Sequence, residues 1–190
     1  MAPTRQRGTA TAADIVNERQ EVIRGELVPK DPASFAHGAA HAAIVGVLGV
    51  FAGRSRPGRV GGWWLAMSVT IELEAHEVFL PDLASWRTDR VPEPPSGEPV
   101  HIMPDWVCEV LSPTTMRRDR GHKQRTYHRA GIGHYWLVEP VAGAIWSYRW
   151  SPEGYAEVAS IEADDVPPGE LVRLEPFDAI GIDLADLFNR

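Results

Sequence analysis

The clearest hydrophobic pattern in the sequence is the apolar run at residues 106–111, which reads W-V-C-E-V-L. A short and nearly continuous apolar segment is typical of a central strand that is buried on both faces. Ser112 and Pro113 end this strand, and a helix is predicted at about residues 115–130, just before Gly131. A further strand follows at 133–138. The order predicts a helix that crosses over a central sheet.

Shorter patterns on both sides of this unit extend the predicted sheet structure. Residues 21–29 read as two strands that turn at Arg24-Gly25, and residues 69–74 alternate between apolar and polar positions like a half-exposed strand. A turn is predicted at His76-Glu77. The remaining predicted elements are helices at 14–20, 35–54 and 184–188 and strands at 63–69, 78–86 and 145–150. Together these elements predict a mixed α/β fold.

The length and composition predict one globular domain. The chain has 190 residues, of which 44% are hydrophobic and 24% are charged. Residues 1–13 lack the apolar core of a signal peptide and are interpreted as a flexible leader, with a single domain at 14–190. The single cysteine, Cys108, excludes an internal disulfide, and a cytoplasmic location is expected. The most apolar stretch, 42–52, is too short for a membrane helix.

The distribution of charge indicates a local surface for anions on an acidic protein. The net charge of −7 argues against a protein that coats nucleic acid without specificity. Residues 117–129 contain six basic side chains and one acid, Asp119, so this segment carries +5 and the rest of the chain −12. A basic helix on an acidic body favours a restricted contact with an anion.

Glu109 is the most informative candidate residue, because it lies alone within the apolar strand. Burying an unpaired carboxylate would cost several kcal/mol or more, so Glu109 needs a partner. The partner could be a metal ion, a basic side chain or a proton. The alternative to a functional site is a core glutamate that is paired with an arginine.

Asp82 is the second candidate acid, because it follows the apolar residues 78–81 where Pro81 removes a hydrogen-bond donor from a strand. A side chain at such a position is exposed at the edge of a sheet. The alternative is an ordinary turn built from Pro81 and Asp82. If the strands that carry Asp82 and Glu109 are neighbours, the two carboxylates would form a hard-oxygen site for a metal ion.

The predicted helix at 115–130 separates its basic residues into two groups. One side of the helix contains Lys123 together with Met116, Asp119, Tyr127 and Ala130, and a different stripe contains Arg118, His122, Arg125 and Arg129. The side with Met116 and Tyr127 is expected to face the sheet, which would carry Lys123 inward. The alternative is a solvated Lys123 that pairs only with Asp119 one turn earlier.

Other candidates have weaker patterns. His37 and His41 have the i,i+4 spacing of helical metal ligands, but no third ligand or H-E-x-x-H motif accompanies them, so packing at the helix start is the simpler interpretation. Cys108 points to the opposite face of the strand from Glu109 and lacks a base at a suitable spacing. The glycines at 58–62 lack the ending of a phosphate-binding loop, so no nucleotide cofactor is predicted.

The segment at 104–140 resembles the bacterial putative restriction endonuclease family, a branch of the PD-(D/E)xK nuclease superfamily. The shared pattern is a strand ending E-V-L-S-P, then D-x-x-x-K-x-x-x-Y, then a segment ending Y-W-L-V. Upstream, E-V-I-R-G-E-L-V at 21–28, His41 and L-P-D-L at 80–83 match the same family, and the resemblance spans about residues 20–188.

The resemblance implies an α/β fold of the restriction-endonuclease type, with a mixed central β-sheet flanked by helices and additional β-hairpins. It implies a Mg²⁺-dependent endonuclease, with Mn²⁺ as a substitute, that hydrolyses phosphodiester bonds in DNA through a metal-activated water. The alternative is a catalytically silent module on the same fold that binds nucleic acid or assembles with other proteins. A homodimer is expected, because two DNA strands have to be cut.

The resemblance also assigns roles to individual residues. Asp82 and Glu109 would be catalytic and would bind the metal together with the backbone carbonyl of Val110. The superfamily often has lysine where this chain has Leu111, so the catalytic lysine would be Lys123 on the following helix. Glu21 and His41 are further candidates for the site. The arginines expected to hold backbone phosphates are Arg118, Arg125 and Arg129.

Overall fold

The computed structural model describes residues 8–16, 19–58, 60–112 and 116–188. In this part of the chain, six strands form a large mixed sheet in the order β10-β9-β8-β7-β6-β3. Strands β7 and β8 run parallel, and their neighbours run antiparallel. The strands are β3 (Trp63–Met67), β6 (Leu83–Arg87), β7 (Trp106–Val110), β8 (His134–Glu139), β9 (Ala144–Ser151) and β10 (Gly154–Glu162).

A second sheet of four antiparallel strands lies beside the start of β6. Its order is β2-β1-β5-β4, and the backbone passes from this small sheet to the large one at residues 80–82, between β5 and β6. The strands are β1 (Gln20–Ile23), β2 (Glu26–Pro29), β4 (Ile71–Glu74) and β5 (Glu77–Phe79). A short pair, β11 (Leu171–Val172) and β12 (Ile182–Asp183), completes the strands.

The helices cover both faces of the large sheet. Helix α1 (Phe35–Leu48) packs on one face, where Ile44 and Leu48 join a core with Trp106, Trp136 and Phe177. The other face carries a continuous helical segment formed by α2 (Met116–Arg118), a π-helical turn (Asp119–Lys123) and α3 (Gln124–Arg129). The C-terminal helix is α4 (Leu184–Phe188).

The two faces of β7 belong to two separate cores, as expected for a strand that is buried on both sides. Trp106, Cys108 and Val110 pack into the core under α1, whereas Val107 lies in the core that also contains Tyr127 of α3. Glu109 follows Cys108 in the strand, and successive side chains of a strand point to opposite faces. Glu109 therefore faces the α2–α3 side of the sheet. The mixed α/β architecture and the crossover helix predicted from the sequence are confirmed.

Several predicted element boundaries were wrong. The single strand predicted at 78–86 is two strands in different sheets, because Pro81 lacks the N–H group that a continuous ladder would need. The predicted turn at His76-Glu77 lies one residue earlier, and Glu77 begins β5. The helix predicted at 35–54 is shorter, because α1 ends at Leu48. A 3₁₀ turn (Gly49–Phe51) follows it directly.

The N-terminal region differs from the predicted helix at 14–20. A 3₁₀ turn occupies Ala12–Asp14, strand β1 already begins at Gln20, and residues 17 and 18 lie outside the described residues. The N–H group of Ala10 donates a hydrogen bond to the carbonyl of Gly25. The division into a leader at 1–13 and one domain at 14–190 stays a prediction. None of the helices in the described ranges has the length and apolar character needed to cross a bilayer.

Candidate active site

Four of the candidate residues, three acids and one lysine, are among those that line a common cavity of about 900 Å³ between the two sheets and the π-helical turn. Glu21 comes from β1 of the small sheet, Asp82 from the passage between the sheets, and Glu109 from β7 of the large sheet. Lys123 ends the π-helical turn. All four residues are at least 97% buried, so the charges interact with little screening by water.

Lys123 connects the acids of the two sheets. Its Nζ atom lies 2.7 Å from Oε1 of Glu21 and 2.9 Å from Oε1 of Glu109. The same Nζ atom lies 3.8 Å from Oδ1 of Asp119. The hydroxyl of Tyr127 donates a second hydrogen bond to Oε1 of Glu109, at 2.7 Å. The charged partner that Glu109 requires in its apolar strand is therefore a buried lysine.

Asp119 and Lys123 lie at the two ends of the π-helical turn, and both face the interior. A π turn adds one residue to the helical repeat, and such turns are frequent at functional sites. Asp119 and Lys123 are both buried, as are Thr126 and Tyr127 in the regular turn that follows. The inward orientation of Lys123 agrees with the helical pattern of the sequence.

Asp82 is held by partners from three different elements. Its Oδ2 atom accepts a hydrogen bond of 2.7 Å from the N–H group of Val110 and lies 3.2 Å from Nε2 of His37. Its Oδ1 atom lies 2.8 Å from Nζ of Lys30, which also donates to the carbonyl of Leu80 at 2.6 Å. Asp82 therefore joins β7, α1 and the end of β2.

The surroundings shift the pKa values of the acids in opposite directions. Burial raises the pKa of Glu109 to about 7, although the charge of Lys123 works against the increase. Burial also opposes ionisation of Asp82, but the hydrogen bond from His37 and the charge of Lys30 hold its pKa well below the usual range. For Glu21, burial is outweighed by Lys123 and Lys30, which lower the pKa.

Lys123 itself remains protonated at neutral pH. Burial alone would lower its pKa, but the charges of Glu109, Glu21 and Asp119 more than offset this effect and raise the pKa above its ordinary value. A permanently charged lysine can donate hydrogen bonds and stabilise negative charge, but it is a poor general base.

The acids provide the hard oxygen atoms that Mg²⁺ and Mn²⁺ prefer, and Val110 lines the same cavity. In the described part of the chain, however, no three His, Cys, Asp or Glu side chains are grouped closely enough to hold a metal ion. The ammonium group of Lys30 lies against Oδ1 of Asp82. The carboxylates of Asp82 and Glu109 therefore fit a divalent cation by their chemistry, while in this structure ammonium groups occupy them, Lys30 at Asp82 and Lys123 at Glu109.

The other predicted site residues separate into two groups. His41 lines the cavity with the acids, and burial lowers its pKa. Arg118 also lines this cavity and lies 3.8 Å from Oε2 of Glu21. Arg125 and Arg129 instead line a second depression near His122 and Glu77, and Arg129 pairs with Glu74 at 3.1 Å. The structure therefore brings one of the three predicted phosphate-binding arginines to the acids.

Sequence reasoning missed Lys30 and the contact between His37 and Asp82. Lys30 lies 52 positions before Asp82, so no local pattern connects them. A signal was nevertheless present in the composition. Lys30 and Lys123 are the only two lysines in the sequence, beside 17 arginines, and both contact acids of this cavity.

Comparisons with known proteins identify the family of the chain and relatives of its fold. The chain matches the model of the family Uma2, described as Putative restriction endonuclease, over residues 14–184. The fold resembles the crystal structure of a putative nuclease belonging to DUF820 from Anabaena variabilis ATCC 29413, with a TM-score of 0.70 and 21% sequence identity. This match covers 94% of the present chain and 97% of the other. No curated protein matches the chain.

Proposed function

The chain belongs to the Uma2 family of putative restriction endonucleases, and on this premise we propose that it is a metal-dependent endonuclease that hydrolyses phosphodiester bonds in DNA. The observation that most supports this proposal is the buried cluster of Glu21, Asp82, Glu109 and Lys123 around one cavity. Buried and opposing charges of this kind are characteristic of catalytic sites and costly to maintain for stability alone.

In the proposed mechanism, Asp82, Glu109 and the carbonyl of Val110 would hold Mg²⁺, for which Mn²⁺ could substitute. The bound ion would supply a water of lowered pKa and stabilise negative charge on the phosphate. Lys123 orients the water and stabilises the charge that develops on the phosphate, because its ammonium group stays protonated. Tyr127 fixes the position of Glu109 through its hydrogen bond to Oε1.

The direct test is a nicking assay on supercoiled plasmid with Mg²⁺, with Mn²⁺ and with a chelator. We expect open-circular and linear products that depend on the added metal. Cleavage that continues at full rate in the chelator would contradict the proposed mechanism. If neither metal supports cleavage of single-stranded DNA, double-stranded DNA or RNA, the chain is a silent binding or assembly module on this fold.

Metal affinity is expected to rise with pH up to about 7 and to level off above it. Burial raises the pKa of Glu109 to about 7, so at lower pH this ligand carries a proton that must leave before a cation binds. One proton per ion corresponds to roughly a tenfold loss of affinity per pH unit below that value. Titration calorimetry with Mn²⁺ across this range measures the slope, and a flat profile for the wild type would contradict it. The Glu109→Gln variant should lose the slope.

Replacing Arg118 with Met is expected to weaken DNA binding severalfold and to reduce the salt dependence of binding by about one phosphate contact. Arg118 lies beside Glu21 in the cavity, where a phosphate near the proposed metal would be within reach. Arg129→Met is the matched control, because Arg129 pairs with Glu74 outside this cavity. Fluorescence anisotropy with a labelled duplex at several salt concentrations measures both variants. If both variants lose the same affinity for DNA, the whole predicted stripe, including Arg125, holds phosphates.

A homodimer and a cytoplasmic location remain part of the proposal. Two copies of the site would cut both strands of a duplex in one complex. Small-angle scattering with and without a DNA duplex measures the assembly, and a monomeric mass in both conditions would contradict the dimer.

A further inference from the structure

We propose that Lys30 is an exchangeable counter-ion, which neutralises Asp82 in the metal-free protein and leaves it when a divalent cation binds. The proposal rests on the metal site that forms part of the proposed function. It assigns a role to a residue outside the family pattern found in the sequence. The inference follows from the contacts of Asp82, the difference between the two lysines and the balance of charge in the cavity.

The contacts of Asp82 leave one oxygen atom for an exchangeable cation. Oδ2 accepts a hydrogen bond from the backbone of Val110 and contacts His37, so its partners belong to a buried strand and a helix. Oδ1 contacts the ammonium group of Lys30, at 2.8 Å. The same ammonium group donates to the carbonyl oxygen of Leu80. Lys30 thus binds two oxygen atoms at the place where a cation would reach Asp82.

The two lysines of the chain differ in their freedom to move. The side chain of Lys123 is 2% exposed and is enclosed by three carboxylates, whereas that of Lys30 is 16% exposed and follows the last residue of the edge strand β2. A lysine ammonium group sits on a flexible four-carbon chain and forms no bidentate pair with a carboxylate. Lys30 can therefore swing from Asp82 towards solvent, while Lys123 stays in place.

The charges of the cavity favour such an exchange. The acids that line it outnumber the bases: the acids are Glu21, Asp31, Asp82, Glu98, Glu109, Asp119 and Glu139, and the bases are Arg19, Lys30, Arg118 and Lys123. A divalent cation added while Lys30 remained at Asp82 would meet a like charge next to its ligand. When Lys30 leaves, its own charge moves out and the arriving cation replaces it at Asp82. In the metal-free state, Lys30 supplies the positive charge at Oδ1 of the buried Asp82.

The labelling of lysines in the wild-type protein tests this exchange directly. Because the chain has only Lys30 and Lys123, brief acetylation followed by peptide mass spectrometry reports each side chain separately. With Mn²⁺ at concentrations that electron paramagnetic resonance shows to be saturating, the acetylation rate of Lys30 should rise at least about fivefold, and that of Lys123 should stay low. An unchanged rate at Lys30, or no detectable binding of Mn²⁺, would overturn the proposal.

A second measurement compares the affinity for Mn²⁺ among charge-matched variants. Lys30→Met removes the competing charge and should tighten binding at least about tenfold. Arg19→Met removes a charge from the lining of the same cavity, but Arg19 donates its hydrogen bond to the carbonyl of Asp31 and not to Asp82. The affinity of this variant for Mn²⁺ should therefore change less than about twofold. Weaker or equal binding by Lys30→Met would overturn the proposal.

The two measurements also separate this inference from the proposed function. Release of Lys30 by Mn²⁺ without any cleavage of nucleic acid would support the exchange and contradict the nuclease. Metal-dependent cleavage with Lys30 still protected from acetylation would support the nuclease and contradict the exchange.

Discussion

Replacing Lys123 with Met is expected to lower the free energy of unfolding by about 3–5 kcal/mol, the usual cost of removing one partner from a buried ion pair. The ammonium group of Lys123 bonds to Glu21 and Glu109 and lies close to Asp119, and all of these side chains are buried. Methionine fills a similar volume but leaves the three acids without their common cation. Part of the cost will be avoided because Glu109 can take up a proton.

Urea unfolding, followed by tryptophan fluorescence, measures this change. The double variant Lys123→Met with Glu109→Gln provides the control, because it removes one of the unpaired charges as well. The double variant should lose less unfolding free energy than the sum of the losses in the two single variants, since residues in contact are coupled. An unfolding free energy of Lys123→Met within about 1 kcal/mol of the wild type would show that the lysine does not hold the acids together.

Replacing Glu109 with Gln is expected to slow cleavage of plasmid DNA roughly a thousandfold, the upper range for loss of one preorganised electrostatic group. Glutamine keeps the shape of the side chain but removes the charge of a proposed metal ligand. Lys123 would still contact Glu21, so the fold should survive. The rate of loss of supercoiled plasmid, at a metal concentration that saturates the wild type, measures the effect.

The neighbouring residue offers a matched control for this experiment. Cys108 lies in the same strand and is equally buried, but its side chain packs in the core on the other face of the sheet. Cys108→Ala should therefore retain cleavage within a fewfold of the wild type, with only a modest loss of stability. If Glu109→Gln keeps more than about a tenth of the wild-type rate, Glu109 is not the metal ligand that we propose.

Local sequence pattern was sufficient for the parts of the site that depend on one strand or one helix. The apolar neighbours of Glu109 showed that it needs a partner, and the helical spacing turned Lys123 towards the sheet. Both inferences use periodicity, which is a property of a few consecutive residues. The same reasoning gave the helix that crosses over the sheet between β7 and β8, and the structure shows that these two strands run parallel.

The remaining parts of the site depend on pairings between distant residues. Glu21 reaches Lys123 only because β1 pairs with β5, more than 50 positions later in the chain. The passage at residues 80–82 was predicted as a continuous strand, although Pro81 already argued against one. The π turn arises from one additional residue within a helical pattern, which periodicity over a short segment does not resolve.

The placement of the acids on two sheets has a consequence for heat inactivation. Glu21 belongs to the small sheet, whose edge strand β2 is largely exposed, and Glu109 belongs to the buried centre of the large sheet. Strands with few buried contacts detach at lower free energy than the core does. We therefore expect β2 to loosen first on warming while the large sheet remains folded, which would remove the support that β2 gives to Glu21 on the neighbouring strand β1. Activity would then disappear at a temperature below that at which the tryptophans of the core become exposed.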